Sequence, residues 1–234
     1  MTKPENIVIL TGAGISAESG LRTFRADDGL WEDHRVEDVA TPEAFARDPQ
    51  LVQRFYDARR AQILAAEPNA AHRALAKLDA HFDGGLLIVT QNIDDLHERA
   101  GAERVLHMHG EGLSAWCTAC DACHRWEGDL TAATACPACG HAGAMRPDIV
   151  WFGEMPYEMD RIFAALSAAD LFVSIGTSGA VYPAAGFVQQ ARQHGAHTLE
   201  LNLEHSQGSH LFDQTHLGSA SDLVPRWVER LLDM

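Results

Sequence analysis

The sequence predicts an α/β protein: a doubly wound, mostly parallel sheet carrying a smaller lobe. Three observations lead there. Short apolar runs bounded by glycine or polar residues recur at 7–10 (IVIL), 86–90 (LLIVT), 171–176 (LFVSIG) and 197–202 (HTLELN), as buried parallel strands do. Helical stretches at 156–169, 183–194 and 221–232 alternate with them. Two segments break the alternation, at about residues 41–82 and 113–144, and read as insertions that together form the lobe.

The first strand runs into TGAGISAESGLRTFR, with Gly12, Gly14, Ser16 and Gly20 in the loop. Gly12-x-Gly14 directly after a strand is where a dinucleotide fold brings its backbone up to a pyrophosphate, with Ala17 at the third small position. A tight strand-to-helix turn would ask for the same glycines. The continuation through Arg22, Thr23, Phe24 and Arg25 is longer than a turn requires and reads as cover for a bound cofactor.

The segment 41–82 is helical twice over, with Pro68-Asn69 as the turn. Tyr56 and Arg59 lie three apart and share a helix face, while Leu51, Phe55 and Ala58 supply a different, apolar one. Spacing alone also fits an ordinary solvated pair.

After LLIVT come Gln91, Asn92 and Asp94, just beyond a strand's carboxyl end, where open α/β sheets bind ligands. Asn92 or Asp94 also suits the cap of the next helix. The run RVLHMHG (104–110) is strand-like, and alternation puts His107 and His109 on one face, so spacing cannot choose between them. No G-x-S-x-G serine elbow exists.

Segment 113–144 is rich in Cys, Gly, Ala and Thr and has no strand-length apolar run. CTAC and CPAC give Cys117, Cys120, Cys136 and Cys139, with fifteen residues between the pairs. Two thiolates from each of two turns fit a tetrahedral zinc site with no open position, hence a structural zinc, one per chain. Such a site makes no claim on His109. Cys123 is left over.

The loops GTSG (176–179) and LNLE (201–204) also follow strands, so four polar loops converge on one rim. The net charge of −15 and pI near 5.2 set the chain against phosphate backbones and so against nucleic acid. An acidic surface attracts lysine-rich proteins, although solubility alone explains it. No apolar run approaches a membrane span and the first residues lack a signal pattern, so a cytoplasmic protein is expected.

GAGISAESGLRTFR, TQNID, His109-Gly110, the paired cysteines, VWFGE (150–154) and GTS together resemble the sirtuins, NAD-dependent protein lysine deacylases, in family order from Ile7 to about Leu232. The bacterial members of the desuccinylase-type class are the most similar. The resemblance implies a Rossmann-like domain of residues 1–40, 83–112 and 145–234, with a helical module (41–82) and a zinc module (113–144) as the small lobe.

It also implies roles. The loop 12–31 would wrap NAD, with Gly12, Ala13, Gly14, Ser16, Arg22, Thr23, Phe24, Arg25 and Trp31 as contacts. Gln91, Asn92, Ile93 and Asp94 would address the nicotinamide ribose and carboxamide. Gly176, Thr177 and Ser178 would hold the adenosine side, with Asn202, Leu203 and Glu204 nearby and Ala220 close to the adenine. His109, not His107, would be the catalytic histidine, with Asn92 beside it. Val150, Phe152 and Gly153 would pair with the substrate peptide as an added strand, a mode that reads backbone more than sequence and admits many proteins.

In the sirtuin reaction the acyl oxygen attacks C1′ of the nicotinamide ribose and nicotinamide leaves. A ribose hydroxyl, deprotonated by a base, then attacks the imidate, and water releases lysine and O-acyl-ADP-ribose. Imidazole suits that base at neutral pH, and no protein nucleophile is needed. Tyr-x-x-Arg at Tyr56 and Arg59 is carried by the desuccinylase-type class, and a phenol plus a guanidinium can hold the carboxylate of a succinyl or malonyl group. Activity on acetyl groups is expected as well. Arg22 stands where many members have proline. ADP-ribosyl transfer from the same NAD site is the alternative; a dehydrogenase would share the glycine loop but has no use for VWFGE.

Overall fold

Alternation of apolar side chains along each central strand decides the layering. The computed structural model describes residues 3–22, 30–31 and 34–234. The chain opens with β1 (Asn6–Thr11), passes a short hairpin of β2 (Leu30–Trp31) and β3 (His34–Arg35), and then enters α1 (Val36–Val39), α2 (Pro42–Arg47), α3 (Pro49–Ala65) and α4 (Ala70–His81). There follow β4 (Gly85–Thr90), α5 (Leu96–Arg99), β5 (Val105–His107), β6 (Gly110–Cys117), β7 (Cys123–Arg125) and β8 (Met145–Ile149). The last third holds α6 (Met159–Ala168), β9 (Leu171–Ile175), α7 (Phe187–Gln193), β10 (His197–Asn202), β11 (Gln214–Leu217) and α8 (Ala220–Leu232).

Six strands form a parallel sheet in the order β11-β10-β9-β1-β4-β5. In β1, Ile7 and Ile9 point to a core shared with Leu75 and Leu78 of α4 and Val224 and Val228 of α8. Val8 and Leu10 point the other way, onto Ile162 and Leu166 of α6 and Phe187 and Val188 of α7. All four strand side chains are buried, so the doubly wound arrangement follows from period-two apolar content on both faces. Chain order runs outward from β1 to β4 and β5, then restarts at β9 on the other side. The reversal makes the carboxyl ends of β1 and β9 a topological switch point.

Residues 41–82 hold three helices and not two, and the last of them belongs to the sheet's core: Ala71, Leu75 and Leu78 of α4 pack there. Helices α2 and α3 instead share a core with Ile149 and Trp151 through Val52, Phe55 and Tyr56. Their starts are chemically marked. Thr41 and Asp48 accept the backbone N–H groups of Ala44 and Leu51, each at 3.0 Å, and Pro42 and Pro49 occupy first-turn positions.

Segment 113–144 holds strands although it has no strand-length apolar run: β6 enters it from Gly110, runs eight residues and forms a three-stranded antiparallel sheet in the order β7-β6-β8. Its alternate positions, Ala115 and Cys117, face a small core with Leu130, Cys136 and Met145, too short and too cysteine-rich to register as an apolar run. The stretch 183–194 is helical as expected, a single 3-10 turn (Ala184–Gly186) leading directly into α7. Among the described residues no helix is long and apolar enough to cross a membrane.

Candidate active site

At the switch point, backbone meets backbone. The Gly12 N–H donates to Ile175 O at 3.0 Å and the Gly14 N–H to Gly176 O at 2.8 Å. A Cβ on Gly14 would sit 2.7 Å from Gly176 Cα, and one on Gly12 2.8 Å from Gly176 O. Gly176 itself has φ +62. These glycines are therefore required by the packing of two loops on each other, which brings Ala13–Ile15 alongside Gly176 and Thr177. Gln91 Nε2 donates to Thr177 Oγ1 at 3.1 Å, and Asn202 Nδ2 donates to Thr177 O at 2.9 Å. Thus the loops after β1, β4, β9 and β10 are cross-linked at one rim. Ala220 is the first residue of α8, whose start is held by Glu18: its carboxylate accepts the Ser221 N–H at 3.0 Å. Leu203 and Glu204 are exposed, and Thr23, Phe24 and Arg25 lie outside the described residues; Trp31 falls in β2 and Arg22 at an exposed position.

Beneath the rim, every proton of the Ser16 hydroxyl is accounted for. The Asn69 backbone N–H donates to His72 Nδ1 at 3.3 Å, so that nitrogen carries the lone pair and Nε2 carries the hydrogen. Nε2–H then donates to Ser16 Oγ at 3.3 Å, as does Asn92 Nδ2 at 3.1 Å. The single Ser16 proton goes to Asp94 Oδ2 at 3.0 Å. With its donor end held there and its backbone N–H on Thr90 Oγ1 at 3.0 Å, Asn92 is fixed in orientation. Burial raises the Asp94 carboxyl to about 6 against the opposing Ser16 bond, and burial lowers His72 to about 4, keeping it neutral. His97 bonds Thr11 Oγ1 at 3.1 Å and stacks edge-on against His72. Sequence reasoning missed Asn69, His72 and His97. The signal was present in Asn69 and His72, three apart, which form a capping box at the start of α4.

Geometry separates the two histidines that spacing could not. Strand β5 ends at His107, and His109 lies in the turn that follows. His107 is engaged at both nitrogens, Nδ1 on Asn92 O at 3.1 Å and Nε2 on Glu98 at 2.8 Å. Both partners only accept, so both nitrogens carry hydrogen. Burial opposes that charge, but Glu98 prevails and the pKa is raised. His109 Nδ1 donates to Gln91 O at 3.1 Å, which leaves the lone pair on Nε2. Burial lowers its pKa, so the ring is neutral and able to accept a proton.

The VWFGE segment, a turn that follows β8, is held at its N–H groups. Val150 donates to His109 O at 2.9 Å, Trp151 to Glu154 Oε2 at 2.8 Å and Phe152 to Ala40 O at 3.0 Å. Gly153 has φ +94 and open space at its Cβ position. The Ile93 carbonyl accepts the Gly112 N–H at 2.7 Å, tying the loop after β4 to β6.

Tyr56 and Arg59 share the buried side of α3 and not a solvated one. Tyr56 is only 2% exposed, and its Oη accepts the Trp151 indole N–H at 3.1 Å. The Arg59 guanidinium lies 5.1 Å from the Phe55 ring centroid; burial and then the neighbouring Arg22 charge lower its pKa.

The four paired cysteines converge, with Sγ–Sγ separations of 3.8 Å for Cys117–Cys139 and Cys120–Cys136. A tetrahedron of sulfurs about 2.3 Å from zinc has edges of about 3.8 Å. The sulfurs therefore fit one closed, structural zinc site. His124 Nε2 lies 3.6 Å from Cys136 Sγ, an outer-sphere contact that sequence reasoning missed, while Cys123 is exposed and outside the cluster.

Comparison with known proteins agrees with this geometry. Residues 12–183 match the model of the Sir2 family. A curated NAD-dependent protein deacylase of Yersinia pestis is 60% identical over 234 residues, covering 99% of this chain and 84% of the relative. A solved Sir2 homologue in complex with NAD superposes with a TM-score of 0.90 at 37% identity, over 99% of this chain and 91% of that one. A Sir2 structure bound to acetylated peptide gives 0.84 at 28% identity, over 97% and 94%. The matched span, residues 12–183, takes in the glycine loops, the four cysteines and the histidine between them, and this chain belongs to the Sir2 family.

Proposed function

We propose that this protein is an NAD-dependent protein lysine deacylase that accepts succinyl, malonyl and acetyl groups and releases nicotinamide and O-acyl-ADP-ribose. The observation that carries the reading is His109, neutral, with Nδ1–H spent on Gln91 O and the Nε2 lone pair left to act, beside the fixed Asn92. In the Yersinia relative the same activity class is named, and a Sir2 relative holds NAD.

NAD supplies the electrophilic ribose carbon and the hydroxyls of the product. The chain's own residues do the rest. Gly12, Ala13, Gly14 and Ser16, with Gly176, Thr177, Ser178 and Asn202, line the dinucleotide. Gln91, Asn92, Ile93 and Asp94 border the nicotinamide ribose. His109 Nε2 takes the proton of a ribose hydroxyl. Val150, Phe152 and Gly153 border the peptide, as protein substrates are implied by the relative bound to acetylated peptide. Tyr56 and Arg59 hold the acyl carboxylate, as the Tyr-x-x-Arg spacing on α3 suggests. The structural zinc keeps the small lobe folded.

The test is incubation with NAD and matched acetyl- and succinyl-lysine peptides, followed by mass spectrometry. Nicotinamide and O-acyl-ADP-ribose are expected in equal amounts with freed lysine. Acyl removal without NAD consumption, or ADP-ribose attached to protein with the acyl group intact, would sink the reading.

A further inference from the structure

Two successive carbonyls of the loop after β4 are gripped by two histidines. Gln91 O accepts the Nδ1–H of His109 and Asn92 O that of His107, each at 3.1 Å. The peptide unit that carries Gln91 O also carries the Asn92 N–H, held by Thr90 Oγ1, and the next unit carries Asn92 O. His107 therefore fixes the far side of the residue whose side-chain amide bonds Ser16. Asn92 is 8% exposed, so water is a poor substitute for the bond at its carbonyl.

That grip depends on charge. A neutral imidazole has one N–H, whereas His107 meets two acceptors, Asn92 O and Glu98 Oε1. The groups around it favour the cation. Glu98 on α5, Glu111 on β6 and Asp94 in the loop after β4 face it as anions, and His97 on α5 stays a neutral ring beside it. The bond to the Glu98 carboxylate, at 2.8 Å and charge-assisted, is the stronger of the two. A proton lost from the ring therefore leaves from Nδ1 and turns a lone pair on Asn92 O.

We propose that His107 is a positioning residue, an imidazolium that binds Asn92 O from one nitrogen and Glu98 from the other and so holds the loop of Gln91 and Asn92 in place beside His109. This rests on the deacylase reading, in which His109 is the base and Asn92 borders the ribose. His107 touches no reacting atom in that reading. Its effect falls on the rate of the step that His109 serves, and it follows the protonation of His107.

The experiment is the single-turnover rate of O-acyl-ADP-ribose formation at saturating NAD and acetyl-lysine peptide, from about pH 6.5 to 9.5. The native rate is expected to fall about five-fold, the size of one neutral hydrogen bond, as pH rises through the His107 pKa, which lies above the ordinary imidazole value. An asparagine amide nitrogen takes the place of Nδ1 and a glutamine one that of Nε2. His107→Asn thus donates to Asn92 O at every pH; it is expected to show no such fall and to stay within about two-fold of the native neutral rate. His107→Gln serves Glu98 alone and is expected to run about five-fold below native at neutral pH, with no fall of its own. A native rate that stays level, a fall that persists in His107→Asn, or a His107→Gln rate within about two-fold of native at neutral pH overturns the proposal. Should either His107 variant not fold, Glu98→Gln at the exposed end of the pair keeps an acceptor for Nε2–H and removes the charge. It is expected to move the native fall to lower pH, and a fall that stays in place overturns the proposal. If the native enzyme forms no O-acyl-ADP-ribose, the deacylase reading fails and takes the inference with it. If it forms the product and the His107 variants follow its profile, this inference alone fails.

Discussion

His107 and His109 differ in what their second nitrogen meets, and that difference is measurable. His107 is tied off by Glu98, whereas His109 keeps a lone pair. His109→Ala is expected to lower kcat by about 10²–10⁴-fold on both acyl peptides, the usual worth of a positioned base. His107→Gln is expected to lose far less; the reverse ranking would reassign the base. Because burial depresses the His109 pKa, the native kcat should be flat through neutral pH and fall as pH drops through that lowered value. Asp94 carries the opposite perturbation. A carboxyl raised to about 6 lends stability that is full below its unfolded value near 4 and lost as pH rises through 6. Asp94→Asn keeps an oxygen for the Ser16 hydroxyl without the buried charge. At pH 7.5 it is expected to raise the melting midpoint, by at most about 3 kcal/mol in stability, while raising KM for NAD. An unchanged or lower midpoint at that pH would show that Asp94 is not strained in the native state.

Helix α3 shows what a sequence reveals and what it hides. The i,i+3 spacing of Tyr56 and Arg59 was legible, as were both helix starts, since Thr41-Pro42 and Asp48-Pro49 are local chemistry. The face they share was not, because burial of Tyr56 is decided by Trp151, ninety-five positions away. The same limit hid β6 and β8, whose pairing joins Trp116 to Arg146 across a long separation. Strands β1, β4 and β9 were legible because each carries apolar side chains on both faces and needs no partner to be recognised; β10 was legible through Leu199 and Leu201 on one face. The NAD-side loops were legible for a related reason: their glycines, Gln91 and Asn92 follow those strands directly. His72 was hidden, being one of thirteen histidines and tied to Ser16 only through the fold. At this scale Arg59→Met is expected to reduce the succinyl-to-acetyl ratio of kcat/KM by about ten-fold or more, as one lost charge-assisted bond would. Equal losses on both peptides, measured at saturating NAD, would mean that α3 supports the fold and does not read the acyl end.

The two halves of the molecule are joined through buried groups, so the zinc module reaches further than its own loop. Arg60, 1% exposed, donates from Nε to Gly112 O at 3.2 Å and from Nη1 to Gly128 O at 3.0 Å, and pairs with Asp57 at 2.6 Å. Asp57 in turn accepts the Leu130 N–H at 3.0 Å. Residues 57 and 60 lie on α3 directly next to Tyr56 and Arg59 in the chain, and Leu130 packs in the same small core as Cys117 and Cys136. Loss of the metal frees the cysteine turns, and the carbonyls that receive Arg60 lose their anchor. Losing two hydrogen bonds from a buried guanidinium costs about 3–6 kcal/mol, at roughly 1.5–3 each. Each kcal/mol moves the melting midpoint by about 2–4 °C in a chain of this size, so chelation is expected to lower it by roughly 10 °C. The succinyl-to-acetyl ratio should fall in the surviving folded fraction, because α3 is displaced while His109, held by Gln91 on the sheet side, is not. The check is a melt and a two-peptide assay on protein whose zinc content has been followed by atomic emission. A midpoint that stays put as zinc is stripped would show that the four sulfurs brace nothing beyond their own turns.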